Sequence, residues 1–183
     1  MKSKISINEI GGYHPNPSLS KWPSGSIFEN EGQKLYDIIT ELKPNVVVEL
    51  GGFYGCSTSW IAKALHDNKK GKLYTIDNHV NAGSWEYLPK TLLSRIKKIT
   101  ADVFIDEINI KDIDIFFDDG PHIQGTYKMV FDKFKPSRAY IVHDYGHYKV
   151  GKVVKPEFDD ITGGPDEVFM EPPSDCGLAI KYF

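Results

Sequence analysis

Apolar positions along the chain switch repeatedly between a helical and an extended period. Between Glu31 and Leu42, the residues Leu35, Ile38, Ile39 and Leu42 recur at i, i+3, i+4 and i+7. That spacing predicts an amphipathic helix halted by Pro44. Val46, Val47 and Val48 form a β-branched run, the pattern of a parallel strand buried on both faces. A glycine turn with Gly51, Gly52 and Gly55 leads into a second helix, where Trp60, Ile61, Ala64 and Leu65 keep helical spacing. Ser57 or Thr58 can cap it, and Gly71 closes the segment. Further strands are predicted at Lys72–Ile76, Ile96–Thr100, Ile113–Phe117 and Ala139–Val142. Helices are predicted within Leu88–Leu93, over Gln124–Phe134 and near 151–161, and a polar loop over Asn78–Tyr87. Glu167–Met170 and Leu178–Tyr182 read as a terminal pair of strands. Strands alternating with helices predict an α/β fold, a Rossmann-like, doubly wound, mostly parallel sheet with an antiparallel C-terminal strand.

The boundaries place one domain over 31–183, preceded by an arm over 1–30 whose glycines and prolines break any period. Tyr13, His14, Trp22 and Phe28 give that arm scattered aromatics, suited to packing over the domain or to closing a site. A chain of 183 residues, 40% hydrophobic and 26% charged, can build one sizeable core. The net charge of −3 and the lack of a basic stripe argue against a nucleic-acid partner. No apolar run approaches the roughly 18 residues of a membrane span. The lysines near the start are followed by no hydrophobic stretch of signal-peptide type, so the protein is expected to be cytoplasmic. Cys56 and Cys176 form neither a metal pattern nor a disulfide framework. Cys56, inside the glycine turn, reads as a small packing residue.

Acidic residues stand at the C-terminal ends of successive predicted strands: Glu49, Asp77, Asp102, Asp119 and Asp144. Each alone reads as a helix cap. Together they mark the edge at which open α/β sheets bind ligands. Strand, acid, glycine turn and helix is also how such domains begin a nucleotide site, because the helix start offers unpaired N–H groups. Asp77 ends the second strand, where a carboxylate can accept hydrogen bonds from both hydroxyls of a ribose. That logic fits NAD and S-adenosylmethionine equally. The turn reads G-G-x-x-G, so the dinucleotide pattern G-x-G-x-x-G is not met.

E-L-G-G-F-Y-G-C-S-T, over residues 49–58, resembles the first motif of class I S-adenosylmethionine-dependent methyltransferases, in particular small O-methyltransferases. F-D-D-G-P-H followed by a helix and Y-I-V-H-D-Y is similar to the metal-dependent macrocin and mycinamicin sugar O-methyltransferase group, and L-A-I-K-Y-F fits its last strand. The resemblance covers roughly 31–183. It implies that Glu49, Gly51, Gly52, Phe53, Tyr54 and Gly55 wrap the methionine end and ribose, with Ser57 facing the cofactor carboxylate. It further implies that Asp77 and Asn78 hold the ribose, that Ala101, Asp102 and Val103 border the adenine, and that Asp119 closes the cofactor site. Asp119, His143 and Asp144 would bind a divalent metal, Mg or Mn, His143 standing where many relatives have glutamate. His122 matches the histidine that serves as general base in some relatives. Asp118 falls where less similar members carry an apolar residue.

These types suit the chemistry. Methyl transfer to an alcohol needs an oxygen that has lost or loosened its proton. A hard cation on carboxylates lowers the hydroxyl pKa, and an imidazole can accept the proton. Tyr148 and Lys152 form the Y-x-x-x-K spacing of short-chain reductases, as do Tyr145 and Lys149. Gly146, Val150 and Gly151 interrupt the helix that this pair requires. The sequence therefore points to a methyltransferase acting with S-adenosylmethionine and a divalent metal on a small hydroxylated molecule. Trp85, Tyr87, Tyr145 and Tyr148 are candidates to line its pocket. A non-catalytic cofactor-binding protein of the same fold is the alternative, and an NAD(P)-dependent reductase a more distant one. A homo-oligomer is compatible with the sequence.

Overall fold

The valine run at the start of the sheet is buried on both faces because helices cover each side. The computed structural model describes residues 4–10, 27–78 and 88–183. Expectations resting on Tyr13, His14, Trp22, Trp85 and Tyr87 lie outside the described residues. Seven strands form one sheet: β1 (Val46–Leu50), β2 (Lys72–Asp77), β3 (Ile96–Thr100), β4 (Ile115–Asp118), β5 (Ala139–Val142), β6 (Glu167–Phe169) and β7 (Leu178–Tyr182). Their spatial order is β3-β2-β1-β4-β5-β7-β6. The first five pair in parallel, while β7 lies antiparallel to both β5 and β6. The fold is thus the Rossmann-like α/β sheet that the alternating periods imply.

On one face Val47, Ile115, Phe117, Ile141 and Ile180 pack with Leu35 and Ile39 of α1 (Glu29–Leu42) and Trp60, Ile61 and Leu65 of α2 (Cys56–Asp67). The short α3 (Lys90–Leu93) adds Leu92. On the other face Val48, Leu50, Phe116, Tyr140 and Val142 meet α4 (Tyr127–Phe134) and α5 (Gly151–Thr162). Ile5, Ile10 and Ile27, inside the span assigned to an arm, are buried in the first of these layers. Among the described residues, no helix is long and apolar enough to cross a membrane.

Several element ends differ from the periodic expectation, each for a local reason. β4 begins at Ile115, not at Ile113, because the Asp114 carboxylate accepts hydrogen bonds from the backbone N–H groups of Asn45 and Val46. α4 begins at Tyr127, not at Gln124, since Gly125 has φ +85° and Glu157 accepts hydrogen bonds from the N–H groups of Gly125 and Tyr127. At the start of α2, neither Ser57 nor Thr58 is the cap. Gly55 takes that place at φ 86°, and both hydroxyl residues lie in the first turn. Tyr148 precedes α5, which holds Lys152, so the Y-x-x-x-K pair does not share a helix.

Strand order places the carboxylate-bearing turns after β1 and β4 side by side, where the connections leave in opposite directions. That switch point is the crevice in which open α/β sheets bind ligands. α1 and α2 cross closely on one side of it. A Cβ at Gly32 would lie 2.2 Å from Nε1 of the fully buried Trp60. Gly32→Ala should therefore destabilise the fold by about 1–3 kcal/mol, the range for overpacking, despite alanine's better helix propensity. Urea unfolding of the variant alone and with Trp60→Phe, which should recover part of the loss, checks this.

Candidate active site

The polar floor is assembled by the backbone before any side chain contributes. Gly51 stands at φ +87° and a Cβ there would come within 2.1 Å of the Asp119 carbonyl oxygen. The Gly51 N–H donates to Ile76 and the Asp119 N–H to Leu50, at 2.9 and 3.0 Å. The glycine at 51 thus answers the approach of a neighbouring turn, a closer need than the approach of a ligand. Beyond the turn, the Phe53 N–H donates to Asp77 Oδ2 at 2.8 Å.

Between these strand ends opens a cleft of about 470 Å³, within the usual size of a small-molecule site. Gly51, Phe53, Asp77, Asn78, Ala101, Asp102, Val103 and Asp119 line it, all from the expected cofactor set. Gly120, His122 and Asp144 line the same cleft, so the expected proton acceptor faces the expected cofactor wall. A smaller crevice shares Gly51, Phe53 and Asp119 and continues past Gly52, Tyr54 and Ser57 to the start of α2. Glu49 and Gly55 line neither.

Glu49 is fully buried and accepts the Thr58 hydroxyl on Oε2 at 2.6 Å. Its Oε1 has no hydrogen-bond partner among the described residues. Burial pushes its pKa up to about 7 against the pull of the Ser57 and Thr58 hydroxyls. Asp118 is buried on the opposite face, where Tyr140 donates to Oδ2 at 3.0 Å and the Gly120 N–H to Oδ1 at 3.2 Å. Burial raises it to about 6. Its bonds pin the turn, and it does not line the cleft.

The histidines divide their work. His122 Nε2 lies 3.0 Å from Asp144 Oδ2, and its Nδ1 lies 2.7 Å from the hydroxyl of the buried Tyr127. His143 is buried, with Nδ1 3.0 Å from Asp119 Oδ1 and Nε2 3.3 Å from Oε2 of the fully buried Glu31. Burial opposes charge on His143, but the two carboxylates at its ring nitrogens outweigh it and hold the pKa well above 6.5. Burial likewise opposes ionisation of Asp144, yet the His122 hydrogen bond and the charge of His143 bring it down to about 2. Asp144 takes φ 59°, a left-handed conformation uncommon outside glycine and concentrated at functional turns.

Two groups of side chains near the expected metal set converge. Ligand atoms of Asp119, His122 and Asp144 lie within 4.8 Å of one another, and so do those of His143, Asp144 and Cys176. In the second set both ring nitrogens of His143 already face carboxylates. The structure thus brings His122 together with the two aspartates and also places His143 Nδ1 3.0 Å from Asp119 Oδ1 and 3.6 Å from Asp144 Oδ1.

Two residues absent from the sequence reading complete the arrangement. Glu31 shares the face of Leu35, Ile38, Ile39 and Leu42, so an acid on the apolar stripe was the available signal. Lys133 of α4 donates to the carbonyls of Val103 and Asp106, each at 2.7 Å, and so ties the far wall of the cleft to the helix behind His122.

Residues 48–148 match the model of a family described as a methyltransferase domain, and the chain belongs to that family. The fold is shared with the O-methyltransferase TomG of Streptomyces achromogenes, involved in tomaymycin synthesis and solved with S-adenosylmethionine. That structure is 17% identical, with 92% of this chain and 90% of that chain covered at a TM-score of 0.64. An O-methyltransferase from Bacillus cereus, solved with S-adenosylhomocysteine, is 14% identical over 87% of this chain and 83% of that one, at a TM-score of 0.71. The methyltransferase PaMTH1 of Podospora anserina, also bound to S-adenosylhomocysteine, is 15% identical over 87% and 80%, at a TM-score of 0.64. No curated protein matches the chain.

The buried Glu49 carries a pH dependence. Its folded pKa of about 7 exceeds that of an unfolded glutamate, so the native state binds more protons between about pH 4.5 and 7 and stability falls across that window. A shift of that size corresponds to about 3 kcal/mol above pH 7, fully relieved below the unfolded value. Glu49→Gln should therefore melt higher than the wild type at pH 8, with the difference vanishing near pH 4. Thermal unfolding across that range checks the sign.

Proposed function

We propose that the protein is an S-adenosylmethionine-dependent O-methyltransferase, acting on a small hydroxylated molecule with a divalent cation held by Asp119 and Asp144. The observation that carries the reading is a single cleft with Asp77 on one wall and Asp119, His122 and Asp144 converging on another. S-Adenosylmethionine and its product fill the corresponding fold in the neighbours from Streptomyces achromogenes and Bacillus cereus. The donors of this chain fit the cofactor. Asp77, oriented by the Phe53 N–H, offers acceptors for ribose hydroxyls at the cleft wall.

They also fit a cation, because two converging carboxylates suit Mg²⁺ or Mn²⁺. A cation so bound supplies Lewis acidity that lowers the pKa of the acceptor hydroxyl. His122 supplies the base. In the structure Nε2–H donates to Asp144; with that carboxylate turned to a cation, the tautomer whose Nδ1–H donates to the Tyr127 oxygen would leave the Nε2 lone pair to accept the hydroxyl proton. Tyr127 suits this task because burial, with Asp118 and Asp119 nearby, holds its phenol protonated.

Asp77→Ala should weaken S-adenosylmethionine by about 1.5–3 kcal/mol, the range for hydrogen bonds to charged groups, in a protein that still folds. Titration calorimetry reads this directly, and unchanged affinity would remove Asp77 from the site. Methyl transfer to a panel of hydroxylated sugars and phenols should be lost to chelator and restored by Mg²⁺ or Mn²⁺. On an accepted substrate, His122→Ala and His122→Gln should each lower kcat by about 10²–10⁴-fold with cofactor and Mn²⁺ affinity retained. A fully active Gln variant would sink the base assignment, and a loss of Mn²⁺ would make His122 a ligand. Cofactor binding without transfer to any acceptor would favour a non-catalytic role.

A further inference from the structure

Glu31 carries more than a helix cap requires. It stands at the third position of α1, and its Oε2 accepts the Phe28 N–H at 2.8 Å, which closes the helix start. A cap of that kind works at a surface, whereas Glu31 is fully buried. Burying a carboxylate is unfavourable unless every lone pair meets a donor. Here Oε1 accepts the Ser174 hydroxyl and the Gly177 N–H, both from the loop before β7, and Oε2 also meets His143 Nε2 at 3.3 Å. Two segments distant in sequence thus end on one carboxylate beside the helix start, and one of them leads directly to the cleft.

We propose that Glu31 is a positioning residue of the site. It holds His143 by Nε2, so that Nδ1 meets Asp119 Oδ1 at 3.0 Å and sets the direction in which that carboxylate enters the cleft. An imidazole partnered at only one nitrogen can still swing about its ring torsion. Partnered at both, and too buried for water to substitute, it has one orientation. Asp119 sits at a turn where Leu50 fixes its backbone, and His143 is the side chain that sets the direction of its carboxylate. The inference rests on the proposed function only where a cation is concerned, since the chain Glu31–His143–Asp119 exists without one.

The test compares the wild type, Glu31→Gln, Glu31→Asp and His143→Gln, all saturated with S-adenosylhomocysteine. Nuclear magnetic resonance follows the His143 ring nitrogens and the Asp119 side-chain carboxyl carbon, and electron paramagnetic resonance follows Mn²⁺ binding. Both Glu31 variants should shift the His143 signals, and all three variants should shift that of Asp119. Mn²⁺ affinity should fall by about 10–100-fold, the usual effect of removing a partner behind a metal ligand, with S-adenosylhomocysteine affinity unchanged. Glu31→Asp keeps the charge but is one methylene too short, so it tests reach if Glu31→Gln fails to fold. Unmoved His143 and Asp119 signals in a folded Glu31 variant of lower melting temperature would overturn the proposal and leave Glu31 a cap. An unmoved Asp119 signal in His143→Gln would overturn it equally. If the wild type binds no Mn²⁺, the cation in the proposed function fails, and the two side-chain signals alone decide the role of Glu31.

Discussion

The contact on which this site depends is between two backbones. The turn after β1 and the turn after β4 meet so closely at Gly51 and Asp119 that no Cβ fits between them. Everything functional in the cleft is placed relative to that contact. Phe53, two residues past Gly51, offers its N–H to Asp77 at the end of the next strand. Asp119, on the other turn, lies 3.0 Å from His143 and within 4.8 Å of Asp144, both just past the end of β5. Four adjacent strands deliver these groups, and the ladder hydrogen bonds of the sheet set their spacing.

Buried charge is managed differently in the two layers flanking the sheet. Toward α1 and α2, Glu31 is kept ionised by His143 and by hydrogen bonds from Ser174 and Phe28, although burial opposes it. Glu49, in the same layer, is pushed toward the neutral acid by its burial. Asp118, facing α4 and α5, is likewise pushed up by burial and relies on a phenol and a backbone N–H. Three carboxyl groups near one end of the sheet thus hold their protons to different degrees, Glu31 below the ordinary carboxylate range and Glu49 and Asp118 above it. The cleft inherits the result, because Asp119 and Asp144 remain beside imidazoles while Glu49 and Asp118 are withdrawn from it.

The sheet was legible in the chain because parallel strands buried on two faces leave continuous apolar runs, and Val46–Val48 is such a run. Its acidic punctuation was legible too, since Asp77, Asp102, Asp119 and Asp144 all line the cleft. Spacing carries no information on which of two adjacent side chains turns inward. For that reason His143 and Asp144 could be named together, while their separate fates could not. Asp144 takes a left-handed backbone and lines the cleft, whereas His143 is buried toward α1. Glu31 was missed for a related reason: an acid on an apolar stripe signals a buried partner without saying where in the chain that partner lies.

No helix covers the connection from β3 to β4, so the wall formed by Ala101, Asp102 and Val103 is shaped by local turns, with Asp102 accepting the Phe104 N–H and Asp106 accepting the Asp102 N–H. Lys133 ties it to a helix, its ammonium holding the Val103 and Asp106 carbonyls. Lys133 sits on α4, two turns from the Tyr127 that holds His122. A rigid rod with a lysine at one end and a phenol at the other thus gauges the width of the cleft. A displacement of α4 would therefore move the far wall and the His122 ring together, so the two sides of the cleft share one support.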